Sequence, residues 1–328
     1  MAATGVDTSL LCSTTASFSL SRRNFKFPTK YRARVAFRRK SVTASSSATA
    51  APTAGDSDCA LYGRRGILSA AKVSFILYLH KSLEGFRANA ADLGARDSVF
   101  VKDVVKKVLS KGKAAGLLRL AFHDAGTFEM DGSSGGMNGS IIYELNRPEN
   151  TGLNKPLKII EKAKAEVDIA RSVSWADMIA VGGAEAVSLC GGPTIPVQLG
   201  RIDSKVPDPE GKLPLETLDV SALKQCFKRK GFSTQELVVL SGAHTLGSKG
   251  FGNPTVFDNS YFKILLDKPW LSSAGMSSMI GLPSDRALVE DDDCLRWISK
   301  YADNQNLFFE DFKNAYIKLV NTGARWRT

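Results

Sequence analysis

Two of the three histidines in this 328-residue chain stand in words that could do chemistry. His123 lies in L-R-L-A-F-H-D-A-G-T-F, residues 118–128, and His244 lies in L-S-G-A-H-T-L-G, residues 240–247. Arg119 precedes His123 by four positions in a segment of helical pattern, so both side chains leave one face. A guanidinium beside a neutral imidazole suits heterolysis of a peroxide O–O bond. The imidazole takes the proton from the attacking oxygen and returns it to the leaving oxygen, while the guanidinium stabilises the charge developing there. Pairs at this spacing are common on helices, so the longer words around each histidine carry the weight.

The third histidine, His80, falls in a segment of another kind. Residues 1–90 hold 14 Lys and Arg against four Asp and Glu, whereas residues 91–328 hold 30 against 29. The net charge of +11 therefore belongs to an N-terminal extension, and the body offers no basic surface for a nucleic acid. Residues 1–55, rich in Ser, Thr, Ala and Arg with Asp7 as the sole acid, have the composition of a chloroplast transit peptide. Residues 56–90 add Arg64-Arg65, the apolar run Ile67–Leu79 and Ala88-Asn89-Ala90, the parts of a twin-arginine export signal. That run has 13 residues, including Lys72, too few for the roughly 20 that span a bilayer. The expectation is removal of residues 1–90, residence in the chloroplast thylakoid lumen, and at most a peripheral association with the membrane.

Residues 91–328 read as one mainly α domain. Apolar residues recur at helical spacing over Val99–Leu109 and Leu117–Phe122, with Gly112 and Gly116 as punctuation. Further helices are predicted over Leu157–Ala170, Trp175–Leu189, Ser221–Lys230, Asp293–Tyr301 and Phe309–Asn321. Ser233-Thr234-Gln235-Glu236 is a capping box that opens the helix bearing Leu237, Leu240, Ser241 and His244. Residues 193–215 hold five prolines and read as structured coil. Cys190, Cys226 and Cys294 show no metal-ligand spacing and read as small buried side chains. Asp124 with Asp131-Gly132-Ser133 reads as a solvated turn, and Lys224, Lys228, Arg229 and Lys230 as a solvated helix face.

Residues 117–128 and 236–246 resemble the distal and proximal signatures of the plant-type haem peroxidases, and the body is most similar to the ascorbate peroxidases. Asn150-Thr151-Gly152-Leu153, Ser174-Trp175-Ala176-Asp177, Gly191-Gly192-Pro193, Gly200-Arg201-Ile202-Asp203, residues 257–262 and residues 282–288 fall in that family's order. The resemblance implies the haem-peroxidase fold, two helical subdomains flanking a central crevice. It implies His123 as distal acid–base, Arg119 as distal charge stabiliser and Asn150, with Glu144 behind it, as the acceptor that orients His123. On the other side it implies haem b held by His244 as proximal ligand, with Asp285 accepting that ring's second N–H. Phe122 stands where ascorbate peroxidases carry tryptophan.

The departures from that pattern lie after His244. The family has roughly ten more residues between the proximal histidine and the asparagine matching Asn253, and they hold basic side chains that meet a haem propionate and the ascorbate. Here residues 245–252 lead straight to Asn253. The proximal tryptophan would align near Gly250, and Trp270 lies in the wrong segment to replace it. Of the family's cation site, Thr245, Asn253 and Asp258 are kept, while a second threonine has become Phe251. These departures argue against ascorbate peroxidase activity, against a working cation site and against full haem binding. Two functions follow as expectations. The first is a binding or structural protein at the lumenal face of photosystem II, with little or no ascorbate peroxidase activity. The second is a working haem peroxidase that reduces H2O2 with another donor during oxidative stress.

Overall fold

The computed structural model describes residues 96–132, 134–270 and 280–327. The expected transit and export signals, with His80, Cys12 and Cys59, lie outside the described residues. Within them the chain is helical, and the only β pairings are the isolated bridges Glu129–Ser134 and Arg201–Trp326. The helices are α1 (residues 96–108), α2 (Lys111–Ala125), α3 (Asn154–Ala170), α4 (Trp175–Leu189) and α5 (Val220–Arg229). They continue with α6 (Thr234–Ser241), α7 (Ser260–Leu266), α8 (Pro283–Ala287), α9 (Asp292–Asp303) and α10 (Gln305–Asn321).

Helix α4 is apolar on every side, with Ala176 to Val187 buried without a break, as a helix enclosed by neighbours must be. Its main partner is α2, which carries the distal word; α3 covers both, and α10 reaches α2 and α6. Glycine permits the close approach. A Cβ at Gly182 would lie 2.5 Å from Ile160 Cδ1 of α3, and one at Gly183 would run into the Tyr316 hydroxyl of α10. Local signals set most helix starts. Ser174, Asp219, Asp291 and Asn304 cap α4, α5, α9 and α10 through side-chain oxygens, and Ser233 with Glu236 forms the expected capping box of α6. No helix of the described residues is long and apolar enough to cross a membrane.

Several expectations are corrected. Gly112 and Gly116 lie inside α2, not between helices; Gly112 faces open space and Gly116 makes ordinary contact with Pro156, so neither needs a break. Asp124 is fully buried instead of solvated: its carboxylate accepts the N–H groups of Gly139 at 2.8 Å and Ile141 at 3.1 Å, tying the following loop to α2. Lys230 is also buried, its ammonium donating to the carbonyls of Lys212 at 2.7 Å and Phe128 at 3.2 Å. Lys224 pairs with Asp291 at 2.9 Å. The cysteines Cys190, Cys226 and Cys294 are free and buried.

Candidate active site

Two histidines line one crevice, His123 from helix α2 and His244 from the turn after α6. His123 sits on the last turn of α2, where Leu117, Leu120 and Ala121 anchor the buried face. Its Nδ1 lies 2.8 Å from Asn150 Oδ1. Asn150 ends a short 3-10 turn, is 1% exposed, and donates from Nδ2 to the Glu144 carbonyl at 2.9 Å. The Glu144 carboxylate turns the other way, taking the Arg147 guanidinium and the Asp208 N–H, each at 2.8 Å. So Glu144 does stand behind Asn150, but through its backbone. An amide oxygen can only accept, which makes Nδ1 the protonated nitrogen of His123 and leaves Nε2 with a lone pair. Burial drives the His123 pKa down to about 4; the Asn150 bond opposes this and the Arg119 charge adds to it. The ring is therefore neutral above about pH 5.

Arg119 is placed one turn before His123, but its guanidinium leans on the loop that carries Asn150. It donates to the carbonyls of Thr151 at 2.8 Å and Glu149 at 2.7 Å. These bonds occupy two of its five N–H groups.

The other wall is the turn after α6. That helix stops at Ser241, and His244 belongs to the 3-10 turn Gly242–Thr245 instead of the helix face. Gly242 lets this turn sit against α7 and α10: an added Cβ would lie 2.7 Å from Phe308 and 2.8 Å from Phe262. His244 Nδ1 is 2.7 Å from Asp285 Oδ1, and Asp285 is 2% exposed. The same carboxylate accepts the Tyr261 hydroxyl at 3.0 Å and the Leu282 N–H at 2.8 Å. Burial disfavours the charged His244 ring, yet the Asp285 charge and hydrogen bond outweigh it and the pKa is raised. For Asp285 burial likewise opposes charge, and the His244 partner with the Leu282 and Tyr261 donors wins, lowering the pKa.

Two adjoining cavities share Phe122, Leu240 and His244. The larger, about 290 Å³, also takes in Leu118, Arg119 and Lys249. The smaller, about 130 Å³, takes in His123, Glu216 and Asp285. Phe122 lies edge-on to His123 with ring centres 6.2 Å apart and stacks on Phe227 at 6.4 Å. Glu216 is a site residue that the sequence reading missed. Its charge acts on both Arg119 and His244, and only the packing of the Pro214–Glu216 segment over the crevice reveals it.

Of the residues of the expected cation site, Thr245 and Asp258 bond to each other, the threonine hydroxyl donating at 3.0 Å. Asn253 is exposed and instead closes its own turn, accepting from the Thr255 N–H and hydroxyl at 3.0 and 2.9 Å. Phe251 is buried edge-on against Tyr261, ring centres 4.6 Å apart. Among the described residues no group of three or more His, Cys, Asp or Glu is placed to hold a metal ion. Trp270 is bound elsewhere, its indole N–H on the Leu265 carbonyl at 3.0 Å.

Comparison with known proteins places the chain in a family. The peroxidase family model matches residues 99–304. The chain is 71% identical over 226 residues to "Putative L-ascorbate peroxidase 6" of Arabidopsis thaliana, covering 69% of each. It is 39% identical over 219 residues to the cytosolic L-ascorbate peroxidase 2 of the same plant, covering 63% of this chain and 84% of that one. To "Putative heme-binding peroxidase" of Pyricularia oryzae it is 36% identical over 241 residues, covering 64% of this chain and 79% of that one. With its helical crevice and its match over most of residues 91–328, the chain belongs to the peroxidase family and is similar to its ascorbate peroxidases.

Proposed function

We propose that the protein is a haem-binding peroxidase-family member of the chloroplast thylakoid lumen, of the thylakoid lumenal 29 kDa kind, with little or no ascorbate peroxidase activity. The observation that carries the haem part is the pairing across the crevice: each imidazole has its Nδ1 tied to a buried acceptor, so each presents Nε2.

The residues fit the group that the family implies. One imidazole is a sufficient protein ligand for haem, and His244 would hold it, with Asp285 fixing the tautomer and raising the ring's basicity. Leu118, Phe122, Leu240 and Leu246 give the apolar walls a flat macrocycle needs. When bound, haem supplies the redox chemistry that peroxide reduction requires. His123 Nε2, neutral and backed by Asn150, accepts a proton from one peroxide oxygen and delivers it to the other. Arg119 keeps three N–H groups beyond those on the Thr151 and Glu149 carbonyls to meet the leaving oxygen.

The shortened run at residues 245–252 supports the loss of ascorbate as donor, since the family's basic contacts to ascorbate lie in the missing piece. The lumenal address rests on the paired signals in residues 1–90, and a binding role at the lumenal face of photosystem II rests on that address.

Adding haemin to the protein and recording its Soret band tests the reading. A stoichiometric five-coordinate high-spin spectrum that is lost in His244→Ala supports it. A spectrum no different from free haemin overturns it. The two intact hydrogen-bonded pairs favour a second reading, peroxide reduction with a donor other than ascorbate. H2O2-dependent donor oxidation that vanishes in His123→Ala supports that one. Docking is checked by co-sedimentation of the mature protein with washed thylakoids and its release by salt.

A further inference from the structure

The larger cavity is electrically one-sided. Its basic liners are Arg119, Lys249 and His244, and no carboxylate lines it. Arg119 already gives two N–H groups to the Thr151 and Glu149 carbonyls. Lys249 has no ion pair or side-chain hydrogen bond among the described residues, yet its charge is near enough to His244 to work against protonation of that ring. The turn that presents it is fixed. The Lys249 carbonyl accepts the Gly281 N–H at 2.8 Å, and the Gly247 N–H donates to the Pro254 carbonyl at 2.9 Å. Gly250 holds a left-handed φ of 92°, and a Cβ there would press on Ile280 at 3.2 Å. An apolar cleft with a cationic rim matches a flat apolar ligand that carries carboxylate arms.

We propose that Lys249, beside Ser248 on the shortened turn, is the cationic contact for a haem propionate, taking over from the basic residues absent between His244 and Asn253. This assignment rests on the reading that haem binds at His244. Lys249 is exposed, so its ammonium–carboxylate hydrogen bond gives an expected contribution of about two- to fivefold in affinity.

The test titrates haemin and haemin dimethyl ester, whose two carboxylates are blocked, into the full chain purified without haem. Binding is read from the Soret band and from tryptophan quenching. Wild type should bind haemin about two- to fivefold more tightly than the diester. Lys249→Ala and Lys249→Glu should lose that preference while diester affinity stays unchanged, and Lys249→Arg should restore it. Equal haemin affinity in wild type and Lys249→Glu overturns the assignment, as does an equal loss for haemin and diester. If wild type binds neither compound saturably, the haem reading fails and the Lys249 contact fails with it. If wild type binds in a His244-dependent way but is indifferent to Lys249, only the contact fails. Unchanged unfolding midpoints of the variants keep folding defects out of the comparison.

Discussion

His244 Nδ1 and Asp285 Oδ1 stand 2.7 Å apart, with the carboxylate almost wholly buried and shared with the Tyr261 hydroxyl. The pair stabilises the fold in a defined pH window. Asp285 has a pKa below its ordinary 3.8, so its contribution is present above that value and is lost as pH falls through the folded pKa. His244 has a pKa above its ordinary 6.5, so its contribution is complete below 6.5 and is lost as pH rises through the folded pKa. Urea unfolding should therefore show the largest deficit of Asp285→Asn near pH 5, shrinking above pH 6.5. Asp285→Ala should cost more at every pH, because the Tyr261 O–H and Leu282 N–H lose their acceptor, at about 1–3 kcal/mol each.

On the distal side, His123 has its pKa lowered to about 4 by burial, so its proton-accepting form is full across neutral pH. The rate constant for peroxide with the haem-loaded protein should be flat from pH 6 to 8 and fall as pH approaches 4. His123→Leu should lower it by about 10²- to 10⁴-fold and abolish that acid limb. Asn150→Ala should give an intermediate loss, since it frees the ring's tautomer but leaves the imidazole in place. Stopped-flow measurements on the three proteins check the order.

Asp124, next to His123, gives a prediction of opposite slope. Burial raises its pKa to about 7 against the pull of the Gly139 and Ile141 N–H groups, with Asp208 and Glu144 adding repulsion. A raised carboxyl stabilises below its unfolded value of 3.8, and that stability is lost as pH rises through the folded pKa. Wild type should lose stability relative to Asp124→Asn between about pH 4 and pH 7. Parallel pH profiles for the two proteins would show that Asp124 is already ionised at pH 4.

These residues mark what a single sequence shows and what it hides. Arg119 and His123 share a helical word, and the capping box at Ser233 is local, so spacing alone exposes both. The Asp285 partner of His244 lies 41 positions away and is reached only through the family's order of motifs. Asp124 and Lys230 look like surface charges because nothing local says that a loop carbonyl or amide will close over them. Arg201 is the extreme case. It is fully buried, paired with Asp177 at 2.9 Å and bonded to the Val320 carbonyl 119 positions later. The same blindness covers Asn253, because turn closure on Thr255 occupies its side-chain oxygen.

Glycine gives a final pair of predictions with opposite signs. Gly183 lies where α4 meets α2 and α10: a methyl there would strike the Tyr316 hydroxyl and approach the Ala121 Cβ at 2.9 Å. That hydroxyl donates to the Ala180 carbonyl at 2.8 Å, so it cannot yield without losing a buried bond. Gly183→Ala should destabilise by about 2–4 kcal/mol, overpacking and the broken bond together. Gly112, in the first turn of α2, would have nothing within 4 Å of an added methyl and holds an ordinary backbone φ. Gly112→Ala should stabilise by about 0.5 kcal/mol, through the smaller entropy lost by the helix. Thermal unfolding of the two variants decides whether the distal helix is gripped at its centre and free at its start. Equal shifts in both would contradict the close approach of α2, α4 and α10 around Gly183.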